Sequence, residues 1–199
     1  MDTTNTTNLY EELSLVPSIK LLTDIDLSDG LAAGSISYAV LVCCSGMGLS
    51  LPYVCRDENS RILTFQSFGH KCSYSAIAEL LANDLVSNLI VYGHSNCEFT
   101  RFLQKSREQG SFEENLLKQW EPSVCKEVES DRIWRFFTGD NWLLMNELHV
   151  LAELKAVLQY PDVLARAESG KLSLHGWMYH EKIRKLQVFH PRLGRFDWV

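Results

Sequence analysis

The sequence predicts an α/β domain with a mostly parallel central sheet and flanking helices. Three observations carry that prediction. Ser37-Tyr-Ala-Val-Leu-Val-Cys-Cys44 is apolar without alternation and closes on Ser45-Gly-Met-Gly48, the pattern of a strand covered on both faces. Asn88-Leu-Ile-Val-Tyr92 is a second such run; Gly93-His-Ser-Asn96 then turns into a segment starting near Cys97 with Phe99, Phe102 and Leu103, so the order is strand, tight turn, helix. Between the two runs, Ser73 to Asn83 sets Ile77, Leu80 and Leu81 at helical spacing. Strands that alternate with helices imply parallel pairing through right-handed crossovers.

The remaining elements follow in order. Residues 1–35 are polar at first and are broken at Pro17 and Asp29-Gly30; they read as an N-terminal arm, with one domain over 36–199. Arg61-Ile-Leu-Thr-Phe65 reads as a short strand. The stretch from Gln104 to Asp140 is charged and broken by Gly110, Pro122 and Gly139, yet Phe112, Leu116, Leu117 and Trp120 keep an apolar stripe that supports one amphipathic helix. Asp140 is placed to cap a helix in which Leu144, Leu148, Leu151 and Leu158 lie close to one face. Tyr160-Pro161 should stop that helix, since proline removes a donor and constrains the preceding residue. A short helix over Asp162 to Glu168 ends at Gly170, and two terminal strands follow, Leu172 to Tyr179 and Lys185 to His190.

Composition narrows the function. With 19 Lys+Arg against 25 Asp+Glu the net charge is −6, so no global basic field attracts a phosphate backbone, and nucleic acid is a poor partner. The longest apolar runs fall far short of the roughly 20 residues that cross a bilayer. Met1-Asp-Thr-Thr-Asn-Thr-Thr7 has neither the basic flank nor the apolar core of a targeting segment. The reading is a cytoplasmic protein without a membrane partner, whose six cysteines are reduced thiols rather than disulfides.

Three of the polar side chains stand where a sheet would gather them. Cys44 ends the first strand, and His94 and Cys97 follow the third. In an open parallel sheet, groups at the carboxyl ends of strands that flank a reversal of strand order converge in one crevice. Two thiolates and an imidazole there would form a Cys₂His set, with zinc the natural ion and a fourth position left for water. Any one of these cysteines alone is more simply a small buried apolar residue. His-x-x-Cys alone is a weak signal.

Its surroundings are more specific. Val91-Tyr-Gly-His-Ser-Asn-Cys97 resembles the Gly-His-Ser-x-Cys turn of the β-class carbonic anhydrases, and Leu172-Ser-Leu-His-Gly-Trp-Met-Tyr179 resembles that family's Leu-x-Leu-His-Gly-Trp-x-Tyr terminal strand. The resemblance covers about residues 37–190. It implies the β-carbonic-anhydrase fold, Zn²⁺ on Cys44, His94 and Cys97, and a homodimer or higher homo-oligomer with the arm of 1–35 wrapping a neighbour. The implied activity is that of a carbonate dehydratase: a zinc-bound hydroxide attacks carbon dioxide to give bicarbonate, because zinc lowers the pKa of bound water from 15.7 to about 7.

The chain also departs from the family. Where relatives have Cys-x-Asp-Ser-Arg, this sequence has Cys44-Ser45-Gly46-Met47-Gly48, so the Asp that accepts a hydrogen bond from the metal-bound species, and its Arg partner, are missing. Gln66-Ser67-Phe68-Gly69 stands where relatives have Arg-Asn-Ala-Gly, and Glu98 where they have Gly. Three readings follow. The protein hydrates carbon dioxide with Glu98, His70 or Gln66 replacing the lost acceptor; it hydrolyses a carbon–sulfur analogue such as carbonyl sulfide or carbon disulfide; or it is a catalytically silent or regulatory zinc protein. Glu98 is equally suited to a first-turn helix carboxylate. Cys43 should point away from Cys44, and His175 should be an architectural hydrogen-bond partner.

Overall fold

The computed structural model describes residues 37–47, 60–67, 74–101 and 142–199. The expected arm of 1–35, the amphipathic stripe of 112–120, the cap at Asp140 and His70 lie outside them. The described elements are β1 (Ser37–Cys44), a 3₁₀ turn (Ser45–Met47), β2 (Ser60–Ser67), α1 (Tyr74–Leu81), β3 (Val86–His94), α2 (Trp142–Val157), α3 (Pro161–Glu168), β4 (Ser173–His180), β5 (Lys185–His190) and β6 (Arg195–Trp198). Among the described residues no helix is long and apolar enough to cross a membrane.

The strands form one sheet in the order β2-β1-β3-β4-β5-β6. β1 pairs in parallel with β2 and β3, and β3 with β4; β5 and β6 complete an antiparallel meander. The chain therefore steps from β1 outward to β2, then crosses back to the other side of β1 to lay down β3. Strand order reverses between β1 and β3, which opens a crevice at their carboxyl ends.

Alternation along the strands sorts the core into two layers. Val40, Val42, Leu89, Val91 and Leu174 pack with α1, α2 and α3, while Leu41, Cys43, Ile90, Tyr92 and Trp177 form a second buried cluster. Both faces of the sheet are buried, the reason these strands lack a polar–apolar rhythm. Cys43 belongs to the second layer.

Two local expectations change. Gly93 and His94 continue β3 instead of opening the turn, because the ladder to β4 runs on through Gly93↔Met178 and His94↔Tyr179. The leucine stripe of the 142–157 helix suggested one buried face, yet Met145, Val150, Ala152 and Ala156 are buried as well. α2 packs against β3 and β4 and is enclosed around most of its circumference. The short β6 is an element the sequence reading did not contain.

The chain break at Pro161 works as expected: Tyr160 is extended and Pro161 starts α3, where a missing N–H costs nothing. From α3 the Arg166 guanidinium reaches back to the carbonyls of Leu81, Asn83, Val86 and Lys171. These lie on the α1 to β3 connection and after α3, so one buried cation satisfies backbone acceptors from both segments. His175 Nε2 pairs with Asn88 Oδ1 at 3.1 Å, tying β4 to β3 within the core.

Gly93 is required by the approach of α2. A Cβ there would overlap Val150 Cγ2 and stand 3.0 Å from Met178 Sδ. Gly93→Ala should therefore destabilise by about 1–3 kcal/mol through overpacking, read as a lower urea midpoint at unchanged slope. A second prediction concerns Glu153, buried in α2, whose carboxyl is pushed well above the usual carboxylate range by desolvation. The unfolded carboxyl ionises near about 4.3, so above that value the folded state holds the extra proton and stability falls as pH rises toward the buried group's pKa. Glu153→Gln, which cannot ionise, should raise the urea midpoint at neutral pH, with the gap from wild type closing toward pH ~4; a gap that does not change with pH would contradict this.

A candidate metal centre at the strand-order reversal

Cys44 is the last residue of β1 and His94 the last of β3. Cys97 follows a two-residue turn and directly precedes a helical segment at 98–101. The reversal of strand order sets these strand ends side by side. The thiol and imidazole ligand atoms of Cys44, His94 and Cys97 all lie within 4.8 Å of one another, and all three residues are buried. The sulfurs are 3.8 Å apart.

The donor set fits a tetrahedral metal. Two sulfurs each about 2.3 Å from one zinc at a tetrahedral angle stand about 3.8 Å apart, which is the separation observed. Among the described residues the buried His94 Nε2 makes no well-formed hydrogen bond and faces the Cys44 sulfur, an arrangement suited to a lone pair that meets a cation. Nδ1 of the same ring lies 3.0 Å from Glu181 Oε1, so the two ring nitrogens have separate tasks.

Electrostatics point the same way. The thiol of Cys97 is pushed far above its ordinary value by the hydrogen bond it makes with Cys44 and then by burial. Burial would lower the pKa of His94, and its interactions with Cys44 and Glu181 outweigh that, leaving it above the ordinary value. Both directions favour added positive charge at the cluster, which a divalent cation would supply.

The turn that carries Cys97 is fastened to α2. The Thr100 hydroxyl donates to Asn146 Oδ1 at 2.7 Å and lies 3.0 Å from the Cys97 carbonyl, and Asn146 Nδ2 donates to the Ser95 carbonyl at 3.4 Å. Position 46 faces the cluster: a Cβ on Gly46 would lie 3.6 Å from His94 Cε1, 3.7 Å from Nε2 and 3.9 Å from Cys44 Sγ. Those are ordinary contact distances, so a side chain would fit there, and the sequence supplies none.

The other sequence candidates are placed as follows. Glu98 is exposed at the start of the 98–101 helical segment, and Gln66 is exposed on β2, opposite Cys43 in register. His70 lies outside the described residues. Sequence reasoning missed Glu181, Thr100 and Asn146. The first follows directly after β4 and meets His94 through strand register, a relation that no local motif displays.

A mostly parallel sheet with a buried Cys₂His cluster, able to hold a metal ion, at its strand-order reversal defines an α/β protein of the β-carbonic-anhydrase type. The carbonic anhydrase family profile matches residues 68–184, more than half of the chain, and the chain belongs to that family, in its β class. A carbonic anhydrase of Synechocystis sp. is 24% identical over 172 residues, 77% of this chain and 60% of that protein, so the chain spans less than two thirds of that relative's length. The fold is similar to that of the β-carbonic anhydrase CcaA, with a TM-score of 0.64 at 21% identity over 83% of this chain and 79% of that one. It is also similar to the wild-type β-carbonic anhydrase CafD of Aspergillus fumigatus, with a TM-score of 0.58 at 20% identity over 85% and 96% of the two chains. A third similar structure, 15% identical with a TM-score of 0.50 over 83% of this chain and 82% of that one, comes from work on two tetrameric β-carbonic anhydrases of Sordaria macrospora.

Asn146→Ala would remove the Thr100 hydroxyl's closer acceptor, leaving it the Cys97 carbonyl at 3.0 Å, and release the Ser95 carbonyl. The expected loss is about 1–3 kcal/mol of stability, measurable by urea denaturation, with Asn146→Asp losing less because it keeps the acceptor.

Proposed function

We propose that this protein is a zinc-dependent carbonic anhydrase that interconverts carbon dioxide and bicarbonate. The observation that carries the proposal is the convergence of Cys44, His94 and Cys97, with a bare Nε2 and a sulfur separation suited to zinc, in a chain of the β-carbonic anhydrase family. Cys44 and Cys97 would hold the ion as thiolates and His94 through Nε2, three protein ligands that leave a fourth position open. When bound, zinc supplies the Lewis acidity that makes water a nucleophile near neutral pH.

The chain's own residues define the rest. The buried sulfurs and imidazole keep bulk water off one side of the site, and Gly46 leaves the neighbouring space free for a small, uncharged substrate. Glu98, His70 and Gln66 remain the candidates for orienting the nucleophile. We place the protein in the cytoplasm as a homodimer or higher homo-oligomer, in keeping with the tetrameric relatives.

One observation favours a second reading. Gly46 faces the sulfur and imidazole where the family resemblance expects an aspartate, and removal of an oriented hydrogen bond from an active site costs about 10²–10³ in rate. A zinc protein with a silent centre fits that vacancy. Metal analysis with stopped-flow carbon dioxide hydration separates the two. The hydratase reading expects one zinc per chain and hydration well above that of Cys44→Ala and Cys97→Ala, both of which should lose stoichiometric zinc. One zinc per chain with hydration at the level of the Cys44→Ala protein would replace it by the silent reading.

A further inference from the structure

The Nδ1 side of His94 is built as carefully as the Nε2 side, and by a residue with no part in the ligand cluster. β3 and β4 run in parallel to His94 and Tyr179, which pair in register. Beyond that rung the two strand exits are fastened to each other: the Ser95 amide donates to the Tyr179 carbonyl at 2.8 Å, and the Glu181 amide donates to Ser95 Oγ at 3.2 Å. The side chain of Glu181 then reaches His94, with Oε1 3.0 Å from Nδ1. The imidazole is 1% exposed and the carboxylate 34%. A carboxylate at the solvent rim thus meets the inner edge of a buried ring.

This contact decides which nitrogen carries the proton. A proton on Nε2 would face the Cys44 sulfur, a weak acceptor as a thiol, whereas a proton on Nδ1 is donated to a carboxylate, the stronger charge-assisted arrangement. In a neutral imidazole the bond made by one nitrogen fixes the role of the other. We infer that Glu181 is a positioning residue: it accepts the Nδ1–H of His94 and thereby holds the Nε2 lone pair toward the two sulfurs. Its negative charge also makes the ring a better donor, as carboxylates behind metal-bound histidines do. Relevance to the metal rests on the zinc reading above; the hold on the ring does not.

The experiment compares full-length wild type with Glu181→Ala, Glu181→Gln and Lys182→Ala, the last an exposed neighbour. Nitrogen-15 long-range correlation spectra of the metal-free proteins, taken at alkaline pH where the ring is neutral, report the His94 tautomer. Wild type and Glu181→Gln, whose amide oxygen still accepts, should carry the proton on Nδ1; Glu181→Ala should move a large fraction of it to Nε2. Competition with a chromophoric chelator measures zinc affinity. Glu181→Ala should bind about 10–100-fold more weakly, Glu181→Gln should recover part of that loss, and Lys182→Ala should match wild type. A Glu181→Ala protein with the wild-type tautomer overturns the inference, and so does one with wild-type affinity. Wild type that binds no zinc but keeps its proton on Nδ1 would end the zinc reading while leaving Glu181's hold on the ring in place.

Discussion

The constraint on which the site depends is the reversal of strand order between β1 and β3. Parallel strands point the same way, so their carboxyl ends gather at one edge of the sheet, and the return of the chain across β1 opens a crevice there. Cys44 and His94 each end their strand, and Cys97 follows within one turn. A ligand set that spans 53 positions is thereby assembled at one end of the sheet. The β-ladders that end at Cys44 and His94 position two of the three ligands.

That placement has an electrostatic consequence. The sulfurs stand 3.8 Å apart in a buried site, and the hydrogen bond from Cys97 to Cys44, with burial, holds the Cys97 thiol far above its ordinary pKa. Removing that proton without a cation would leave two negative sulfurs side by side, and among the described residues His94 Nε2 makes no hydrogen bond of its own. A divalent cation relieves both conditions at once, and folding has already covered the entropy of bringing the ligands together.

Much of this was legible in the residues. Unalternating apolar runs announced strands buried on both faces, and the structure returns β1 over the very segment expected. The breaker at Pro161 marked the end of one helix and the start of the next. Cys44, His94 and Cys97 could be assembled because position at a strand end, unlike contact across a sheet, is visible in sequence. Glu181 was not legible. Its meeting with His94 depends on the rung that pairs His94 with Tyr179, and register between strands far apart in sequence leaves no mark in local pattern. The enclosure of α2 was hidden for a related reason: a leucine stripe shows where one face is buried and says nothing of a second. Continuation of β3 through Gly93 went against turn chemistry, because the glycine serves the close approach of Val150 rather than a bend.

The imidazole of His94 separates two unlike environments. On its Nδ1 side stands Glu181, anchored through Ser95 to both strand exits; on its Nε2 side stand two sulfurs and the bare position of Gly46. Thiolates already give a metal much of the charge it seeks, and a carboxylate behind the ring adds to it, so this donor set favours a firm hold over strong polarisation of water. On the proposed hydratase reading, a small, neutral substrate such as carbon dioxide would need access to the cluster, which a glycine at position 46 would give. On the same reading, a group that orients the nucleophile would approach from the side of position 46, since Glu181 stands on the far side of the His94 ring.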